Sequence, residues 1–337
     1  RDGQQTQGVQ FSTDEKVMIA RALDDLGVDY IEGGWPGANP TDNAFFAALP
    51  KTKATITAFG MTKRAGRSAE NDDVLAAVLN AGTSVVCLVG KTHDFHVETA
   101  LGISLAENID AIRLSIAHIV AQGREAIFDA EHFFDGYKAN PDYALKCLRQ
   151  AYDNGARWVV LCDTNGGTLP NEIFDIISDV KKHIPGDHLG IHAHNDTDNA
   201  VANSLAAIDA GVRHVQGTIN GLGERCGNTN LISLIPTLVL KTQYQTNIDK
   251  DKLQSLTKLS KLVDDLLNIP SRKQSAYVGD YAFSHKGGLH AAAVEKNPRT
   301  YEHINPNLVG NERNVIISNQ AGKSNLLNRL KKMSIEL

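Results

Sequence analysis

The sequence predicts an α/β fold: a (β/α)8 TIM barrel whose first strand is truncated, followed by a small helical C-terminal subdomain. Three observations carry this. Short β-rich apolar runs alternate with longer amphipathic stretches over about 240 residues, the rhythm of parallel strands joined by crossover helices. Seven such runs are present and an eighth would fit just before Arg1, which matches a barrel of about 250 residues. After Thr242 the rhythm stops, so the expected domains are a barrel at 1–242 and a helical subdomain at 243–337.

The candidate strands, in order, are Asp29–Glu32, Ala54–Phe59, Ser84–Leu88, Ala126–Ala130, Trp158–Cys162, Leu189–His194 and His214–Thr218. Helical patterns lie between them at Ser12–Leu26, Asp73–Asn80, Val97–Gln122, Pro141–Asn154, Asn171–His183 and Asn195–Ala210. Thr13 with Asp14 and Glu15 reads as a helix start, and Asn195-Asp196 falls where the next-to-last barrel helix should open. A glycine closes several helices, as in Leu26-Gly27, Ala81-Gly82, Asn154-Gly155 and Ala210-Gly211, the position where a left-handed residue ends a helix. An open doubly wound sheet is the alternative, but no Gly-x-Gly-x-x-Gly follows an early strand. Beyond the barrel, Lys250–Leu267 is amphipathic, Ile269-Pro270 breaks the pattern, and a basic helix is expected near Lys323–Lys332.

Composition excludes several classes. With 42% hydrophobic and 22% charged residues, the 337-residue chain can bury a large core. A net charge of −5 gives no reason to expect nucleic acid or an anionic membrane as partner. No apolar run approaches the ~20 residues that span a bilayer, and no signal peptide opens the chain. Cys87, Cys147, Cys162 and Cys226 are scattered, as expected of reduced thiols in a cytoplasmic protein. The chain opens at Arg1-Asp2-Gly3 without an initiator Met, so a further segment upstream is expected.

Polar residues gather where the strands end, the face on which a barrel of this kind carries its chemistry. Arg1 and Asp2 would follow the missing strand, Glu32 ends the next, Glu131 lies past Ala126–Ala130, and Asp163-Thr164-Asn165 follow Trp158–Cys162. His192 and His194, two apart on a strand, point to one face and can offer two imidazoles to one ion. Alone the pair reads more often as ordinary surface or rim histidines, and Asp2 alone equally as a turn or N-cap residue. Together on one rim, a carboxylate and two imidazoles suit a divalent cation with coordination positions left for a substrate.

Three ordered motifs then carry a resemblance. Arg1-Asp2-Gly3-Gln4-Gln5, His192-Ala193-His194-Asn195-Asp196 and Gly221-Leu222-Gly223-Glu224-Arg225-Cys226-Gly227-Asn228 resemble the signatures of the 2-isopropylmalate synthase, homocitrate synthase and citramalate synthase family. Phe283–His290 is similar to the family's helical subdomain motif, so the resemblance covers nearly the whole chain. Residues 31–42 and 299–306 look most like the citramalate synthase branch. The regulatory domain that usually follows is absent from this sequence, so feedback inhibition is not expected of this chain.

The resemblance implies a metal-dependent acyltransferase that joins acetyl-CoA, as co-substrate, to a 2-oxo acid, pyruvate foremost, to give citramalate. It places the activity in branched-chain amino-acid biosynthesis, of isoleucine in particular. It implies Asp2, His192, His194 and Asn228 as ligands of a divalent metal, with Mg²⁺, Mn²⁺, Zn²⁺ and Co²⁺ all compatible. Arg1 would bind oxyanions of the substrate, Thr164 the substrate carboxylate, and Glu131 would orient water or a proton-transfer group. His290 and Tyr301 would supply the base, entering from the partner chain of a domain-swapped homodimer. His285 is expected to be structural, Glu224 and Arg225 to pair with each other, and Cys226 not to be a nucleophile. Alternatives are a 2-isopropylmalate synthase acting on 2-oxoisovalerate, or a metal-dependent aldolase or lyase on the same barrel.

Overall fold

A computed structural model describes residues 1–315, so the helix expected near Lys323–Lys332 lies outside the described residues. The chain divides into two compact units, Arg1–Leu234 and Ile235–Leu337.

The first unit is built on seven strands: β1 (Tyr30–Gly34), β2 (Thr55–Met61), β3 (Val85–Lys91), β4 (Glu125–Glu131), β5 (Ala156–Asp163), β6 (Leu189–Ala193) and β7 (His214–Gln216). Each pairs in parallel with the next, so spatial order equals chain order. Every expected strand is present, and helices fill the connections, as parallel pairing requires.

Period-two alternation sorts each strand into two faces. Ile56, Ala58, Val86, Leu88, Phe128, Val159, Leu161 and Ile191 are buried against helix residues such as Ile112, Ile116, Leu148 and Ile177. Phe59, Val85, Cys87, Ile127, Trp158 and Val160 form a separate core on the other face. That face is concave. The Tyr30 hydroxyl on β1 donates to Glu125 Oε1 on β4 at 2.7 Å, and Trp158 Nε1 on β5 donates to Tyr30 Oη at 3.3 Å. Strands that are not neighbours can touch in this way only if the sheet curls.

Local rules account for most helix ends. Ser12 caps Thr13–Leu26 with a reciprocal bond to Glu15, so the helix opens as expected with Ser12 rather than Thr13 as its cap. Gly27, Gly155 and Gly211 take positive φ of 98°, 98° and 118° at their helix ends. Three expectations change. The single helix over Val97–Gln122 is two pieces, Val97–Leu101 and Leu105–Ala121, because Gly102 turns left-handed and Ser104 with Glu107 starts a new capping box. The helix after β6 begins at Ala200, not Asn195, since Asn195 Oδ1 accepts from Ala200 N at 3.1 Å across an intervening turn. Lys250–Ser255 is a 3₁₀ turn ahead of a shorter α-helix, Leu256–Leu266. Helices at Pro40–Ala47, Phe133–Ala139 and Leu231–Lys241 were not expected; Gly136 and Pro236 read as breakers within the last two.

The second unit holds Leu256–Leu266, the helix Gly288–Lys296 and a two-stranded pairing of Ser284–His285 with Asn314–Val315. Buried His285 lies 3.1 Å from Glu302 Oε1, and Glu302 also accepts from Arg313 Nε and Nη2, each at 2.6 Å. His285 thus has a buried carboxylate partner. Among the described residues no helix is long and apolar enough to cross a membrane.

Candidate active site

Because inward residues alternate, Glu32, Lys91, Glu131, His192 and Gln216 fall at the C-terminal rim of the concave face, with Asp129 one inward position below Glu131. Arg1 sits over this rim, next to a single 3₁₀ turn at Asp2–Gln5. Its Nε donates to Glu32 Oε2 at 2.7 Å, Nη1 lies 2.8 Å from Asp2 Oδ1, and Nη2 is 3.9 Å from Asp129 Oδ2. The guanidinium carbon stacks 3.8 Å from the Phe59 ring centre. Burial opposes the guanidinium charge, but Asp2, Glu32 and Asp129 outweigh it and raise the Arg1 pKa. Burial likewise opposes ionisation of Asp2, yet Arg1 and His192 prevail and hold its carboxyl below the ordinary range. Deeper in, burial and the neighbouring Glu32 carboxylate push Asp129 up to about 6.

Asp2, His192, His194 and Asn228 come together. Asp2 Oδ2 lies 3.5 Å from His192 Nε2, and the two imidazole centres are 5.3 Å apart. Asn228 Nδ2 donates to His192 Nε2 at 2.8 Å. The Gly-rich stretch Gly221–Asn228 is stitched to the end of β6: Asn195 N donates to Gly227 O at 2.9 Å and Thr229 N to Ala193 O at 3.0 Å. Gly223 packs against Asn228 so closely that a Cβ would overlap Oδ1. Burial, then His192, holds His194 down to about 4, so it is neutral at pH 7 and its ring nitrogen keeps a lone pair.

Two atoms here lack partners. His194 Nδ1 and Asn228 Oδ1 are buried without a hydrogen bond among the described residues. Buried polar atoms are normally satisfied, and an unpartnered ring nitrogen and amide oxygen beside a carboxylate and a second imidazole are nitrogen and oxygen groups of the kind that bind divalent cations. Another group, Glu32, Cys87 and Asp129, has ligand atoms that all lie within 4.8 Å of one another. It fits a cation less well: Arg1 already faces both carboxylates, and burial pushes the Cys87 thiol far up, leaving it protonated.

The far side of the rim is bound differently. Lys91 Nζ is 2.6 Å from Glu131 Oε2, and Thr164 Oγ1 accepts from His132 N at 2.8 Å. His132 stacks on His96 with ring centres 3.7 Å apart. Arg225 does not pair with Glu224 as expected. It forks onto Asp196, Nε to Oδ1 and Nη2 to Oδ2 at 2.8 Å each, and donates to Thr164 O at 2.7 Å. Its φ of 55° turns it away from its sequence neighbour. Cys226 is exposed. In the second unit, His290 stacks on Tyr301 with ring centres 4.1 Å apart; both are exposed. Sequence reading missed Lys91, Asp129, His132 and Gln216. The signal was available for Asp129, a lone acid inside the apolar run Ala126–Ala130 and in phase with Glu131.

The HMGL-like family model matches residues 1–263, and the homocitrate synthase post-HMGL domain-like model matches residues 277–337. The chain belongs to the HMGL-like family. Within it, the chain falls in the citramalate, homocitrate and 2-isopropylmalate synthase group. It is 51% identical to an (R)-citramalate synthase of Aquifex aeolicus, over all of this chain and 64% of that protein. Against the (R)-citramalate synthase of Synechocystis the identity is also 51%, over all of this chain and 63% of that protein. A homocitrate synthase of Sulfurisphaera tokodaii is 33% identical over all of this chain and 71% of its own length. The chain thus spans less than two thirds of the length of the two citramalate synthases. An HMG-CoA lyase from Brucella melitensis superimposes with a TM-score of 0.68 at 18% identity, covering 80% of this chain and 96% of that one. That likeness supports the α/β barrel class for the first unit. Members of the HMGL-like family generally depend on a divalent metal ion.

Proposed function

We propose that this protein condenses acetyl-CoA with a 2-oxo acid, pyruvate in preference to its longer homologues, and hydrolyses the resulting thioester to give citramalate. The observation that carries the reading is the buried Asp2–His192–His194–Asn228 set, with two acceptor atoms unpartnered, directly beside the Arg1 guanidinium. The (R)-citramalate synthases at 46–51% identity across the whole chain favour pyruvate as the acceptor.

Asp2, His192, His194 and Asn228 would hold a divalent cation, Mg²⁺, Mn²⁺, Zn²⁺ or Co²⁺. When bound, the cation would supply Lewis-acid polarisation of the keto group and offset the developing alkoxide charge. Arg1, fixed by Glu32 and Phe59, places a permanent charge beside that position and so binds an oxyanion with little reorganisation. Thr164 Oγ1 spends an acceptor site on His132 N, which leaves its own O–H to donate to the substrate carboxylate. Glu131, oriented by Lys91, suits positioning of the water that cleaves the thioester.

Removal of the acetyl methyl proton we assign to His290, with Tyr301 stacked on its ring. Both side chains are exposed, as a group serving a second chain needs to be, and we propose that they act in the partner of a domain-swapped homodimer. The test is free-thiol release from acetyl-CoA with pyruvate, 2-oxobutyrate and 2-oxoisovalerate. Thiol release is expected with all three, with kcat/KM falling by about 1–3 kcal/mol of discrimination per added methylene. A best rate with 2-oxoisovalerate would move the reading to a 2-isopropylmalate synthase. No release with any oxo acid would remove it.

A further inference from the structure

The two ring nitrogens of His192 face different surroundings. Nδ1 lies 2.6 Å from Gln216 Oε1, and Gln216 Nε2 donates to Asp129 Oδ1 at 2.9 Å. The three residues come from β6, β7 and β4, so a chain of bonds crosses the concave face beneath the rim. Direction follows from chemistry. A carboxylate only accepts, which turns the Gln216 amino group toward Asp129 and its carbonyl toward His192. That carbonyl accepts only an N–H, so the proton of the neutral imidazole sits on Nδ1. Nε2 is left with the lone pair, and Nε2 is the atom that accepts from Asn228 Nδ2 at 2.8 Å and faces Asp2.

We propose that Gln216, oriented by Asp129, is a positioning residue that locks His192 in the Nδ1–H tautomer and so presents Nε2 as the metal-binding atom. The inference rests on the metal-site reading above and adds to it the residue that selects the ligand atom. Asp129 serves two masters, since its other oxygen lies 3.9 Å from Arg1 Nη2. One buried carboxylate therefore sets both the cation that meets the substrate and the imidazole that meets the metal.

The test begins on the metal-free protein with ¹⁵N-labelled histidine. Long-range N–H correlation spectra should show the His192 ring, identified by its loss in His192→Gln, protonated at Nδ1. An Nε2–H ring in the unsubstituted protein would overturn the proposal outright. Gln216→Met should release the ring to the other tautomer or to a mixture, and should weaken Mn²⁺ affinity about 10–100-fold. The double substitution Asp129→Asn with Gln216→Glu, in which amide and carboxylate trade places, should restore the Nδ1–H signal and recover most of the Mn²⁺ affinity. A merely structural role would give neither the tautomer change nor the recovery. His192→Ala separates the two levels. If it leaves Mn²⁺ binding unchanged, the metal reading fails; if it abolishes binding while Gln216→Met binds within twofold of the original, only the relay fails.

Discussion

The concave face of the sheet has two halves built from the same strands, and they surround their polar groups with different neighbours. At the N-terminal ends of the strands, Tyr30, Glu125, Trp158 and His214 close a layer in which rings stack and hydroxyl, carboxylate and indole pair off, with His214 Nε2 the one ring nitrogen there left without a partner among the described residues. At the C-terminal ends, Arg1, Asp2, Asp129, His192, His194 and Asn228 crowd together with two acceptor atoms left open. Each half has a histidine held down to about 4, half-buried His214 below and buried His194 above. A lowered pKa therefore does not mark function here. The neighbours do: His214 lies on the Trp158 ring, whereas His194 stands beside a carboxylate and a second imidazole.

Substitutions that strike one half and spare the other would sharpen this contrast. The largest effect is expected for His192→Ala, with Mn²⁺ binding lost and thiol release down on the order of a thousandfold, while thermal unfolding stays close to that of the parent. Trp158→Ala should invert the pattern, costing about 3–5 kcal/mol in denaturant unfolding while the folded fraction keeps its metal affinity. Equal loss of stability and metal affinity in both variants would dissolve the division. Next, Glu131→Gln should lower kcat about a hundredfold without altering Mn²⁺ titrations.

The smallest effect is one of pH. Burial, with Arg157 and then His192 nearby, holds His214 at about 4 against an ordinary 6.5. The unfolded chain takes up this proton first, so the His214 contribution to stability is lost as pH falls from 6.5 to about 4. Asp129 acts in the opposite sense, gaining relative stability as pH falls from about 6 to 3.8, because its folded pKa is raised. His214→Phe should leave the Asp129 trend alone and flatten the acid-side decline, read as denaturant midpoints across that range.

The strands were legible because their outward positions carry an unbroken apolar period, as in Ala126, Phe128 and Ala130. Asp2, His192, His194 and Asn228 could be singled out because they sit in three short motifs, and the structure brings those motifs together. What escaped were partnerships made across the face. Gln216 and Asp129 are 87 residues apart, and no local pattern joins them. Arg225 beside Glu224 suggested a local pair, but a left-handed backbone at Arg225 sends its guanidinium to Asp196. Helix ends failed where side chains substituted for backbone, as when Asn195 capped a turn and delayed the next helix to Ala200.

The most direct measurement is the position of Mn²⁺ in crystals of the protein, located by anomalous scattering. The peak is expected between Asp2, His192 and His194, within reach of Asn228 Oδ1. A peak between Glu32, Cys87 and Asp129, or no peak on the strand-end rim at saturating Mn²⁺, would contradict a metal-centred site in the upper half of the concave face.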